Sequence, residues 1–206
     1  MDDNQLADRR RAVVLAGYSG DHAFVVDALS DPVAEIRAVA LGALERLGRM
    51  DSEVIAPLLG DPDPLVRNRA ARVCAAQNCY LPELLALLDD ADDTVVEVAA
   101  FALGESESVP DVVVERLCAV VLNHQDSLCR EAATAALGSL GLPNGLRAIL
   151  HACGDKATVR RRGVLALAAF EGDEVTAMLR HLTGDRDLQV RQSAEELLSI
   201  EEGESL

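Results

Sequence analysis

The stretch Leu29-Ser30-Asp31-Pro32-Val33-Ala34-Glu35-Ile36-Arg37-Ala38-Val39-Ala40 returns one period later as Leu59-Gly60-Asp61-Pro62-Asp63-Pro64-Leu65-Val66-Arg67-Asn68-Arg69-Ala70. Both copies run Leu, one residue, Asp, four residues, an aliphatic, Arg, two residues, Ala. The central tetrad recurs as Cys129-Arg130 with Ala133 and as Val190-Arg191 with Ala194. Val159-Arg160 with Gly163 keeps a small residue in the last place, and Val95-Val96 with Ala99 has lost its Arg. Asp8-Arg9 with Ala12 is a weaker copy that lacks a preceding helix. The anchor positions 9, 37, 67, 96, 130, 160 and 191 are therefore 28, 30, 29, 34, 30 and 31 residues apart. A period of this size is the signature of a repeat array, and it sets the frame for every other feature.

Each period divides into two helical patterns. Apolar residues follow the anchor at helical spacing, as in Ala40, Ala43, Leu44 and Leu47, or Ala133, Ala136, Leu137 and Leu140, which places them on one face. Asp31-Pro32 and Asp63-Pro64 read as an N-cap followed by Pro at the first helical position, other helices open at Leu81-Pro82, Val109-Pro110 and Leu142-Pro143, and Gly48, Gly141 and Gly154 fit the stops. The pattern predicts first helices near 21–29, 51–59, 80–88, 110–122, 143–152 and 172–182, the second of them bent at Pro57. Second helices are predicted near 5–17, 33–48, 64–76, 93–104, 127–140, 157–170 and 187–199. A hairpin of about 30 residues cannot bury its own apolar face, so the hairpins stack. The expected fold is an all-α solenoid, a right-handed superhelix of about seven two-helix repeats with the first incomplete. The array is expected over residues 1–200, with 201–206 as an acidic tail.

The segments 29–47, 59–74, 122–140, 153–167 and 182–198 carry the form L-x-D-x(4)-[VIC]-R-x-x-A with lapses. In this form the chain resembles the HEAT-like repeats of the phycobilisome-lyase type. That resemblance implies the solenoid fold. On activity it is divided, because the family holds chromophore lyase or isomerase subunits that bind a bilin with a partner chain, iron-dependent hydroxylases, and plain scaffolds. The hydroxylase branch binds iron through His-Glu dipeptides, and none of His22, His124, His151 and His181 is followed by Glu. His151 and His181 occupy equivalent places in neighbouring repeats, an expected helix-packing separation of about 10 Å, and sharing an ion would need both rings to lean together and further ligands. No metal, cofactor or catalytic residue is therefore expected. GxGxxG, GxxxxGK[ST] and GxSxG are absent, Ser106, Ser108 and Ser139 lack a triad setting, and Asp89-Asp90 and Asp92-Asp93 read as capping residues without the pattern of a calcium loop.

Composition agrees with a thin stack of short helices. Half the residues are apolar but only 2% are aromatic, with no Trp, so Ala, Val and Leu must build the core. The net charge of −16 speaks against nucleic acid and anionic membrane, and no apolar run approaches the roughly 20 residues needed to span a bilayer. None of the five Cys shows zinc-type CxxC spacing, and Cys74 and Cys79 have the wrong helical phase to pair. Cys129 stands where other repeats have Ile36 and Val66, a buried small hydrophobe. Reduced thiols and an acidic start without a signal segment point to the cytoplasm.

The loop Asp and helix Arg recur at fixed spacing: Asp31 with Arg37, Asp61 with Arg67, Asp155 with Arg160, Asp185 with Arg191, while Arg130 has His124 in the Asp place. In similar repeats such residues bond between adjacent units, giving a ladder of exposed or half-exposed pairs that contribute about 0.5–1 kcal/mol each. Val96 and His124 are expected to damage two rungs, with looser packing or altered curvature near 90–130. The second helices hold thirteen of the eighteen Arg against eight acidic residues, which predicts a locally positive inner face on an acidic body. Its exposed places carry Arg69, Arg72, Val98, Phe101, Arg161, Arg162 and Leu165, the composition of a protein-binding surface. The function expected is a non-catalytic scaffold whose concave face takes an acidic or amphipathic protein segment. A bilin lyase or isomerase subunit is the first alternative, implied by resemblance alone, and a nucleic-acid-binding HEAT-like protein is the second. The lone opening helix leaves an N-terminal edge that a second copy, as a homo-oligomer, or another protein would cover.

Overall fold

A computed structural model describes residues 3–48, 51–77 and 82–204, and among them there are helices and no strands. In chain order the helices are α1 (Asp3–Ser19), α2 (His22–Ala28), α3 (Ala34–Leu47), α4 (Ser52–Leu59), α5 (Pro64–Ala76), α6 (Glu83–Ala86) and α7 (Asp93–Gly104). They continue as α8 (Asp111–Asn123), α9 (Ser127–Leu140), α10 (Leu146–Ala152), α11 (Ala157–Ala166), α12 (Asp173–Leu182) and α13 (Leu188–Glu204). Three 3₁₀ turns extend this pattern: Leu87–Asp89 after α6, Pro143–Gly145 before α10, and Leu167–Ala169 after α11. Cys79 and the Leu81 start signal lie outside the described residues. The boundary expected at residue 200 falls within α13, which runs on to Glu204.

Local chemistry explains the helix ends. Asp51, Asp63, Asp92 and Asp126 each precede a helix and accept a backbone N–H from its first turn, satisfying a donor that has no partner inside the helix. Gly48 and Gly141 close α3 and α9 at φ of 62° and 59°, a left-handed conformation that a side chain would strain. One cap differs from expectation. α3 starts at Ala34 with Val33 before it and has no side-chain cap. Asp31-Pro32 corresponds to Asp61-Pro62, two residues too early to cap, and Asp31 is used for a different bond.

The odd-numbered helices from α1 to α13 stack in one continuous row, and each from α3 onward packs on the even-numbered helix before it in its own repeat. Contacts between successive even-numbered helices are sparser. A row spaced closely on one side and loosely on the other curves, with the odd-numbered helices on the concave side.

The sequence tetrad sits at the centre of each unit. The residue before the anchor, at Ile36, Val66, Val95, Cys129, Val159 and Val190, is fully buried, and so is the Ala three places after the anchor. Gly163 replaces that Ala because a Cβ there would stand 3.0 Å from Cys153 Sγ and 3.2 Å from its backbone N. Each buried Leu or Ile contributes about 1.5–3 kcal/mol, so the many small faces add up only when neighbours cover one another.

Candidate functional site

The ladder orders the repeats and so positions the concave face. Arg37 closes on Asp61 with Nε to Oδ2 at 2.8 Å and Nη2 to Oδ1 at 2.6 Å, while its Nη1 donates to the backbone oxygen of Asp31 at 2.8 Å. Arg67 does the same to Asp90, Arg130 to Asp155 and Arg160 to Asp185, and Arg9 pairs with Asp31. Arg37, Arg67, Arg130 and Arg160 therefore each grip the carboxylate of the next repeat while holding the carbonyl of their own loop residue, as Arg67 holds Asp61 and Arg160 holds Asp155. Arg191, in the last repeat, donates to the Asp185 carbonyl at 2.7 Å.

These pairs differ from the exposed or half-exposed ones expected. Arg37 and Asp61 have side chains only 13% and 7% exposed. Hydrogen bonds from Arg67, Arg130 and Arg160 hold the carboxyls of Asp90, Asp155 and Asp185 below the usual range. Burial alone would raise Asp61, but the hydrogen bonds from Arg37 and the Asp63 N–H outweigh it and leave it lowered. Asp90, read from sequence as a cap, is a rung residue, whereas its neighbour Asp92 caps α7. Because each Arg reaches forward, Val96 and His124 are two halves of one rung, so one rung is missing and not two. The looseness expected there is absent. Val96 is fully buried, and Gly104 lies so close to Ala136 that a Cβ on it would stand 2.6 Å from the Ala136 Cα.

At this same junction the concave face opens into a groove of about 500 Å³ between α7 and α9. Phe101 and Leu128 line it with 51% and 54% of their surface exposed. Arg72 from α5 and Arg162 from α11 contribute at the margins, together with Glu97, Glu105 and Glu131. Arg162 lies 3.6 Å from Glu131, and Arg72 donates to the side-chain oxygen of Asn68 at 3.0 Å.

Of the residues expected to bind a partner, the groove brings together Arg72, Val98, Phe101 and Arg162. Val98 is a correction: it is 6% exposed, because a short side chain two places after the anchor stays between the helices where Arg69 and Arg162 reach past them. Arg161 and Leu165 line a separate, more polar groove beside α13. Arg161 is paired there with Asp187, whose carboxyl it pulls down to about 2. Arg69 lies in neither groove; it crosses the bare backbone of Gly42 to reach Glu45 at 2.6 Å. The positive inner face is also corrected, since eight of its thirteen Arg are ion-paired. Leu128 stands two places before the anchor, outside the positions one, two and five places after it at which the helical pattern predicts exposure. At the N-terminal edge Leu15, Tyr18 and Phe24 are exposed, and Arg46 lies 4.9 Å over the Tyr18 ring.

Neither Cys129 nor Cys153 lines these two grooves. Burial pushes the Cys153 thiol up to about 12, and burial with nearby Asp93, Asp126 and Glu97 does the same to Cys129. No described helix is long and apolar enough to cross a membrane.

A curved row of paired helices with a solvent-open groove defines an α-solenoid. The sequence pattern of HEAT repeats matches residues 22–104, 52–138, 81–162 and 114–199, and the chain belongs to the HEAT-repeat family. Solved structures agree on the fold. An engineered protein superposes with a TM-score of 0.66 at 19% identity, covering 87% of this chain and 97% of that one. A designed armadillo repeat protein in complex with the peptide (KR)4 gives a TM-score of 0.62 at 18% identity, with 85% and 97% covered. YibA of E. coli gives 0.60 at 20% identity, with 79% of this chain and 62% of that one covered. No curated protein matches by sequence.

Proposed function

We propose that the chain is a non-catalytic scaffold that holds an amphipathic segment of a partner protein in the groove between α7 and α9. The observation that carries this reading is the pair Phe101 and Leu128, two large apolar side chains each about half exposed in one concavity. An exposed aromatic flanked by Arg is the composition of an interface anchor. Of the two partner chemistries expected, the lining favours the amphipathic one. Glu97, Glu105 and Glu131 stand beside Arg72 and Arg162, so a uniformly acidic segment would meet repulsion, whereas charges of both signs around an apolar stripe would be matched. The designed armadillo repeat protein in complex with (KR)4 is a fold relative with a peptide bound, which supports a peptide-like occupant.

A photo-crosslinking residue placed at Phe101, compared with one at the exposed Val112 of α8, tests the reading. The expected result is a discrete protein adduct from Phe101 alone, lost on adding Arg72→Glu. Adducts from Val112 only, or the same adducts from both positions, would remove the groove as the binding surface.

A further inference from the structure

The repeats act as internal controls for one another, and one junction departs from all the rest. Three places before the anchor, the second and later repeats carry Ala34, Pro64, Ser127, Ala157 and Leu188, but the fourth carries Asp93. One place before the anchor they carry Ile36, Val66, Val95, Val159 and Val190, but the fifth carries Cys129. The fourth repeat has Val96 for the ladder Arg, and the fifth has His124 for the ladder Asp. All four departures meet where the fourth and fifth repeats join.

Three of them bring metal-ligating groups together. One ligand atom from each of Asp93, His124 and Cys129 lies within 4.8 Å of the other two. His124 Nε2 is 3.9 Å from Asp93 Oδ1, and the Cys129 thiol donates to the Asp93 backbone oxygen at 3.3 Å. Bonds of about 2.0–2.3 Å around a tetrahedral ion put its ligand atoms roughly 3.5 Å apart, so small rotations, chiefly of the exposed Asp93, close the set. We propose that Asp93, His124 and Cys129 bind a single zinc-type divalent ion that bridges the fourth and fifth repeats in place of the absent ion pair. A thiolate, an imidazole and one carboxylate select zinc or cobalt over magnesium or calcium. On binding, the sulfur–hydrogen bond breaks, the proton leaves to water, and the sulfur keeps its electron pair for the metal. His124 Nδ1 accepts the Asp126 N–H at 3.2 Å, as the Asp61 carboxylate accepts that of Asp63, and this leaves Nε2 toward Asp93. Coordination at Nε2 moves the ring proton to Nδ1, exchanging that one hydrogen bond for a coordinate bond.

Titration of the untagged, chelator-treated protein with Co²⁺ is the test. The expected result is one equivalent bound with a thiolate-to-cobalt charge-transfer band, displaced by Zn²⁺, and a zinc-dependent rise in Tm that Mg²⁺ does not give. Cys129→Val installs the residue type of the other repeats; it abolishes the band and weakens zinc binding by more than about a hundredfold. Val96→Arg with His124→Asp rebuilds the ordinary rung and removes the zinc-dependent rise while the protein stays folded. Absence of the band in the unaltered protein, a zinc effect that persists in Cys129→Val, or an equal response to Mg²⁺ would each overturn the assignment.

Discussion

Arg67 closes on Asp90 with two parallel bonds of 2.7 Å, Nε to Oδ2 and Nη2 to Oδ1, and so locks the third repeat to the fourth. Asp89, one residue earlier, is 75% exposed and pairs with Arg116 at the surface. Adjacent carboxylates in one loop thus have unlike consequences. Asp90→Ala strands a largely buried guanidinium and is expected to lower stability by about 2–3 kcal/mol. Asp89→Ala is expected to change it by no more than about 0.5 kcal/mol. Urea unfolding of the two variants measures the difference.

Acid should unfold the array by releasing its rungs. Asp61, Asp90, Asp155 and Asp185 are all held below the ordinary carboxyl range, so near that range the unfolded chain binds more protons than the folded one. Their contribution is complete above about pH 4, the unfolded value, and is lost as pH falls through the lower folded values. The urea midpoint should be level above about pH 5 and fall steadily towards pH 2. Asp90→Asn, which keeps the shape but not the charge, should give a shallower fall.

Close backbone approach makes another position sensitive. A Cβ at Gly104 would meet the Ala136 Cα at 2.6 Å and its Cβ at 2.8 Å, so α7 and α9 must part. Gly104→Ala is expected to cost about 1–3 kcal/mol. Gly184→Ala meets only the His181 carbonyl at 3.6 Å, and is expected to be neutral or stabilising by up to about 1 kcal/mol. Thermal unfolding separates the two.

Groove and core can be separated by substitution. Phe101 is half exposed and the exposed Arg72 donates, among the described residues, to the side chain of half-buried Asn68, so Arg72→Glu with Phe101→Ser should shift stability by less than about 1 kcal/mol. The same pair should weaken binding of the segment captured at Phe101 by about 2 kcal/mol or more, roughly thirtyfold. Titration of that segment against both proteins is the measurement.

The fold was legible because one physical rule acts in every repeat. The aliphatic–Arg–x–x–Ala tetrad fixes a helix face, and Ile36, Val66 and Val190 report it identically. Ladder direction was not legible, because spacing within a repeat ties Asp61 to Arg67 while the carboxylate bonds Arg37 of the unit before. Asp90 was hidden among four acids of similar spacing, where capping and ladder roles look alike. Exposure on the inner face depended on side-chain length, which a helical wheel ignores: Val98 and Arg69 occupy the same angular place but end in different surroundings. Asp93, His124 and Cys129 belong to two repeats, and only the stacking brings them together.

The forward reach of each ladder Arg gives the array a rule for growth by duplication. A new hairpin carrying its own Asp and Arg, spliced between the second and third units, would find Arg37 behind it and Asp61 ahead, and every charge would have a mate. Spliced after Val96, the same hairpin would leave its Asp facing a valine and its Arg facing His124, two desolvated charges with nothing opposite. The chain can be lengthened through its other joints, but this seam resists insertion.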